Sequence, residues 1–167
     1  MLKPILGALV ALAIIPSPAA AQATATAQGQ AEVEVISPIS ISHINQAALR
    51  FGSLIVGATG TVRISGGGNV TASNGIDVIA GTTSLDAFTV TGEPGRSFSM
   101  SVRTDRPFVQ SANNDQMAFA VEFPGGFSYQ LNGQGTAPVL VGGTLNVTLG
   151  QRPGAYTGQY SVTATYE

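Results

Sequence analysis

From Val33 onward, apolar and polar residues alternate one by one along most of the chain. In "GTVRIS", Val62 and Ile64 fall on one side, with Thr61, Arg63 and Ser65 on the other. "DAFTVTG" separates Phe88 and Val90 from Thr89 and Thr91, and "RSFSMSV" separates Phe98, Met100 and Val102 from serines. "MAFAVEF" sets Met117, Phe119, Val121 and Phe123 in phase, and "FSYQL" does so for Phe127, Tyr129 and Leu131. A period of two is that of a half-buried β-strand, one face on a core and the other in water. Valine, threonine and aromatic residues suit that pleated surface. Turn signals separate the runs at short intervals: Gly66 to Asn69, Asn74-Gly75, Glu93 to Gly95, Asn113 to Asp115, Pro124 to Gly126 and Asn132-Gly133. The pattern predicts seven to ten short strands in an all-β sandwich or barrel. The sole helical expectation is a turn near Ile44 to Arg50.

Two local expectations are sharper. In "PVLVGGTLNVTL", Gly142-Gly143 has the freedom that a two-residue hairpin turn demands, which would place Leu140 opposite Leu145. In the closing "GAYTGQYSVTATYE", Tyr156, Tyr160, Val162, Ala164 and Tyr166 all share one phase, which predicts a clean terminal strand.

The amino terminus changes the picture of where the chain works. Lys3, the apolar stretch Ile5 to Ile15 and the small residues Ala19 to Ala21 have the order of a secretory signal, with cleavage expected after Ala21. The apolar stretch is short against the ~20 residues that span a bilayer. The expected organisation is therefore a signal over 1–21, a flexible extension over 22–31 and one β-sandwich domain over 32–167. The expected location is secreted: periplasm, outer-membrane surface or extracellular space.

Charge and cysteine content then exclude several functions. The only lysine, Lys3, leaves with the signal, and six scattered arginines face nine acids. That balance argues against nucleic acid, whose binding rests on clustered basic residues. There is no cysteine, so thiol catalysis and cysteine–metal sites are excluded and the core must hold the fold without disulfides.

The motifs "ISPISISHINQAALRFGSLIVGATGTVRIS", "FTVTG", "VLVGGTLNV" and "GAYTGQYSVTATY" resemble a bacterial secreted family catalogued only as a domain of unknown function. Its pattern falls on Pro38, on Leu49 to Gly52, on Gly60 to Val62, on Gly142 to Leu145 and on Gly154 to Thr163. The closing strand also resembles that of spore-coat-U-type proteins and chaperone–usher pilin subunits, with a penultimate tyrosine at Tyr166 and a glycine upstream at Gly154. The fold this implies is an immunoglobulin-like (pilin-like) antiparallel β-sandwich. In pilins the terminal strand borders a groove left by a missing strand, filled first by a chaperone and then by the extension of the next subunit. The resemblance therefore implies a recognition edge at Gly154, Tyr160, Val162, Ala164 and Tyr166. It also implies partners of the periplasmic chaperone or usher type, or like subunits. An unpaired edge presents free N–H and C=O groups, and alternate side-chain pockets give selectivity. A donor strand should carry bulky apolar residues. "QATATAQGQA" offers only alanines, whereas "AEVEVISPISI" offers Val33 and Val35, a segment that the resemblance makes the domain's own first strand.

Candidate chemistry is sparse. His43 is the only histidine, with no G-x-S-x-G elbow to pair with, and is expected on the surface or in a loop. Asn113 to Gln116 could offer oxygens to calcium but lacks the loop spacing, so a plain turn is expected. Arg103 to Pro107 is expected to hold a surface ion pair. Asp77, Asp86, Glu93 and Glu122 could supply a glycosidase pair only if two of them met. No cofactor or metal site is expected. The function expected is that of an exported, non-enzymatic structural or surface protein assembling or adhering through strand edges. The alternative is a secreted carbohydrate- or ligand-binding module with a self-complete sandwich.

Overall fold

The structure is a computed structural model and describes residues 24–167. The expected signal over 1–21 lies outside the described residues. The chain divides between Glu34 and Val35 into two units. Residues 24–34 are exposed and have no regular secondary structure. Residues 35–167 hold fifteen strands and no helix.

The first eight strands are β1 (Ser40–His43), β2 (Arg50–Phe51), β3 (Leu54–Val56), β4 (Gly60–Ile64), β5 (Val70–Ala72), β6 (Ile76–Val78), β7 (Thr83–Ser84) and β8 (Asp86–Thr91). The remainder are β9 (Ser97–Arg103), β10 (Phe108–Ser111), β11 (Gln116–Glu122), β12 (Ser128–Gln130), β13 (Thr136–Val147), β14 (Tyr156–Thr157) and β15 (Ser161–Tyr166). The count exceeds the seven to ten expected because seven of these are pairings of two or three residues, too short to show a period.

The larger sheet runs β1-β8-β13-β11-β10-β14, with β4 also on β13 and β5 on β4; the smaller runs β12-β9-β15. Two ribbons, β2 with β7 and β3 with β6, complete the pairing. All pairs are antiparallel. Val90, Val139 and Val141 of the larger sheet meet Phe98 and Met100 of the smaller in one buried cluster. The two sheets thus pack face to face as an all-β sandwich.

The alternation predicts burial well. Val62, Ile64, Phe98 and Met100 are buried, as are Met117, Phe119 and Phe123. Phe127 departs from its phase: it is 64% exposed, in the bend before β12, and packs edge-on against Phe123.

The expected Gly142-Gly143 hairpin does not form. β13 runs unbroken through both glycines, so Leu140 faces solvent while Leu145 is buried on the other face. The glycines serve close approach instead. Up to Val141 the strand pairs with β8, and from Gly142 to Val147 it pairs with β11 and β4. A Cβ on Gly142 would lie 2.3 Å from the Ile64 carbonyl oxygen, and one on Gly143 would lie 2.4 Å from that of Ala120. Ala137, Val139 and Val141 feed one core cluster, and Leu145 and Val147 feed a second with Val62, Ile76, Met117 and Phe119.

The terminal strand is also corrected. It is two strands in two sheets: β14 pairs with β10, and β15 pairs with β9. The chain crosses between sheets at Gly158 to Tyr160, where a Cβ on Gly158 would lie 3.0 Å from the Phe108 carbonyl oxygen. The in-phase tyrosines hide this break because the phase survives the crossing. Near Ile44 there is a single turn, closed by the Ala47 N–H donating to the Ile44 oxygen at 3.1 Å with Gln46 at φ 68°, and no helix.

Gly142→Ala and Gly143→Ala should each lower unfolding stability by about 1–3 kcal/mol, since a methyl is forced into backbone oxygen. Gly133→Ala, with open space around its Cβ, should stay within about 0.5 kcal/mol. Urea unfolding of the three variants checks this.

Candidate functional site

Two strands and the segment leading into a third place hydrogen-bonding side chains on the inward phase. His43 ends β1 in phase with Ile39 and Ile41, and Asp86 opens β8 in phase with Phe88 and Val90. Tyr160 precedes β15 in phase with Val162, Ala164 and Tyr166. The register of β1 on β8 sets His43 opposite Phe88, two residues from Asp86, and the crossing at Gly158 brings Tyr160 onto the same spot. His43 Nε2 donates to Asp86 Oδ1 at 2.6 Å, and the Tyr160 hydroxyl donates to Oδ2 at 2.5 Å. The Ala87 N–H adds a third donor to Oδ1 at 2.8 Å.

Asp86 is only 6% exposed, and a carboxylate that deep must be hydrogen-bonded. These three donors meet that requirement. Burial, together with the bond to Asp86 and its charge, pushes the Tyr160 hydroxyl well above the ordinary tyrosine range. Tyr160 also packs on both core clusters, so the network sits at their junction.

The trio forms part of the wall of an open trough of about 820 Å³. Phe88 and Phe108 add rings; Gln110, Thr157, Gln159 and Ser161 add amides and hydroxyls; Arg103, Asp105 and Arg106 stand at its rim. The His43 and Phe88 rings lie 4.9 Å apart. His43 is therefore on the surface, as expected, with its side chain 47% exposed, and it is anchored there by Asp86. An aspartate orienting a histidine is two-thirds of a hydrolytic triad. The neighbouring hydroxyls on β1 are turned elsewhere: Ser40 bonds Thr91 and Ser42 bonds the Thr89 oxygen.

The expected recognition residues separate. Gly154 lies in the bend before β14 and Tyr160 in the crossing, while Val162, Ala164 and Tyr166 lie on β15. β15 pairs with β9 on one side and with no strand on the other among the described residues. The Glu167 N–H donates to the Ser97 oxygen, which fixes the alternation: Ser161, Thr163 and Thr165 point their backbone groups at β9, and Val162, Ala164 and Tyr166 point theirs outward. Their side chains pack half-buried on the first core cluster, as do Ile39 and Ile41. β1 is the edge of the larger sheet, so both sheets present an edge strand along this cluster. The Tyr166 hydroxyl is used internally, accepting from the Glu93 N–H at 2.6 Å and donating to the Ser37 oxygen at 2.9 Å. Gly92 makes room for it, because a Cβ there would lie 2.1 Å from that hydroxyl.

The remaining candidates resolve plainly. Arg103 and Asp105 form the expected exposed ion pair at 2.9 Å. Residues 111–115 form a turn, with the Asn114 N–H donating to the Ser111 oxygen and Asn114 at φ 65°. The carboxylates do not meet as a pair. Asp86 and Glu122 flank β13 at Val141 and Gly142, and consecutive positions on a strand face opposite ways. Glu122 is bonded instead by Arg63 and Thr144, and Glu93 accepts from the Ser37 N–H. Sequence reasoning weighed Asp86, His43 and Tyr160 separately; the signal that joins them is their shared inward phase.

A family model described as "Domain of unknown function (DUF4402)" matches residues 39–166, and the chain belongs to that family. No curated protein and no solved structure matches it.

Tyr160→Phe leaves Asp86 Oδ2 without its donor and should cost about 1–3 kcal/mol of stability at neutral pH. Because folding raises the Tyr160 pKa, its contribution is full below the unfolded tyrosine value of ~10 and is lost as pH rises above it. The variant should therefore lack that part of the alkaline decline. Denaturant midpoints measured from neutral to strongly alkaline pH test both statements.

Proposed function

We propose that this member of the family is an exported, non-enzymatic structural or surface protein, pilin-like or coat-like, that assembles or adheres through strand edges. The observation that carries this reading is the unpaired side of β15. Three outward-pointing backbone positions there run along a half-buried apolar row, and a strand laid beside them would complete the hydrogen bonds and cover the row. By contrast, the inward residues Phe98 and Met100 of the neighbouring β9 are 0% and 2% exposed.

The chain also carries a segment of matching chemistry. In "AEVEVIS", Val33 and Val35 are 89% and 91% exposed, alternate with Glu32 and Glu34, and precede the first strand at Ser40. An extended segment with two valines on one face suits the half-buried row of Val162 and Ala164 better than the alanines before it, by about 0.8 kcal/mol for each added CH₂ buried. The partners on this reading are like subunits, or a periplasmic chaperone and usher that hold the edge first.

Full-length mature protein, concentrated and run in detergent gels with and without boiling, should give a ladder that collapses on heating. Ala164→Pro removes an outward N–H, a change tolerated where an edge faces solvent. It should abolish the ladder while leaving the β-sheet circular dichroism intact. A wild-type chain that stays monomeric at every concentration, alone and with a co-expressed chaperone, would refute the reading.

A further inference from the structure

Beyond assembly, the trough at the head of β15 has the build of a ligand site. We propose that it binds a saccharide carrying a carboxylate, such as a uronic-acid residue of an acidic glycan.

Its volume, about 820 Å³, lies in the ~300–1,000 Å³ range of small-molecule sites, which pair apolar surface with a few placed polar groups. The rings of Phe88, Phe108, Tyr160 and His43 supply flat apolar surface, suited to the C–H face of a sugar ring. Gln159, Thr157 and Ser161 line the same space and bring both donors and acceptors, as sugar hydroxyls require.

The charge arrangement selects the anion. Of the two carboxylates in the trough, Asp86 is buried and capped by His43, Tyr160 and the Ala87 N–H. Asp105 is paired with Arg103. Arg106 has no hydrogen-bond or ion-pair partner among the described residues and stands exposed at the rim. The charge left open is thus a single guanidinium fork, whose geometry matches one carboxylate. A polyphosphate would demand several such cations, and the rim offers one.

The Asp86 network gives the wall its shape. It fixes the His43 ring against Phe88 and the Tyr160 ring at the crossing, so two of the four rings are held before any ligand arrives.

The test is isothermal titration of the full-length mature protein with short oligogalacturonate. The comparison probes are a neutral galactose oligomer, sodium acetate and a glutamate-rich peptide. Oligogalacturonate should bind saturably and the other three at least roughly tenfold more weakly. Arg106→Gln, at an exposed position, should weaken oligogalacturonate roughly tenfold or more with an unchanged melting temperature. Arg152→Gln, outside the trough, should leave binding unchanged. Equal binding of the acidic and neutral oligomers overturns the charge assignment, and binding of the peptide or acetate as tight as the sugar overturns the saccharide assignment. Absence of binding, or Arg106→Gln behaving like Arg152→Gln, overturns the site. Assembly is read separately by Ala164→Pro, so either proposal can fail without the other.

Discussion

The close backbone approach along β13 is the constraint on which the sandwich depends. One twelve-residue strand is the common neighbour of β8, β11 and β4, and its odd-numbered side chains feed both core clusters. The handover between neighbours happens at two glycines because only hydrogen atoms fit beside the carbonyls of Ile64 and Ala120. Without disulfides, this shared strand and the burial it organises hold the domain. Interiors packed to crystal-like density transmit any misfit at such a point.

A second junction sits where the chain returns between the sheets at Gly158 to Tyr160. Here the core is polar. Asp86, capped by a histidine and a tyrosine, takes the place of an apolar side chain between the two clusters. A buried carboxylate with incomplete partners is costly, whereas a satisfied one fixes the rings that satisfy it. The same contacts therefore close the core and shape the trough wall. The penultimate tyrosine works comparably at the other end of β15: bonds to Glu93 and Ser37 tie the terminal strand to the chain before β1.

Between these two anchors β15 has one strand neighbour among the described residues, β9. Val162 and Ala164 are held from one side by β9, and their outward backbone groups pair with no strand among the described residues. Edges of this kind are often blunted by charge or proline; the solvent-facing side chains of Ser161, Thr163 and Thr165 supply neither. Edge and trough adjoin through Tyr160, so a protein that docks by its edge would carry a ligand site at the head of the docked strand.

Much of this was legible in the chain itself. The period of two fixed which side chains of β4, β9 and β11 turn inward, because side-chain direction in a strand is a local property of the backbone. Turn residues marked the gaps, and the resemblance at Leu49 to Gly52 and Gly154 to Thr163 named the family. What the sequence could not reveal is which strand lies beside which, since pairing is decided by partners distant along the chain. Gly142-Gly143 looks like a turn locally and becomes a crossing only once Ile64 and Ala120 close in on it. The terminal tyrosines read as one strand because phase carries no record of a change of sheet. His43, Asp86 and Tyr160 each looked unremarkable alone; only the packing of three strands at one corner makes them a single network, because a hydrogen bond is a matter of ångströms in space and not of separation in sequence.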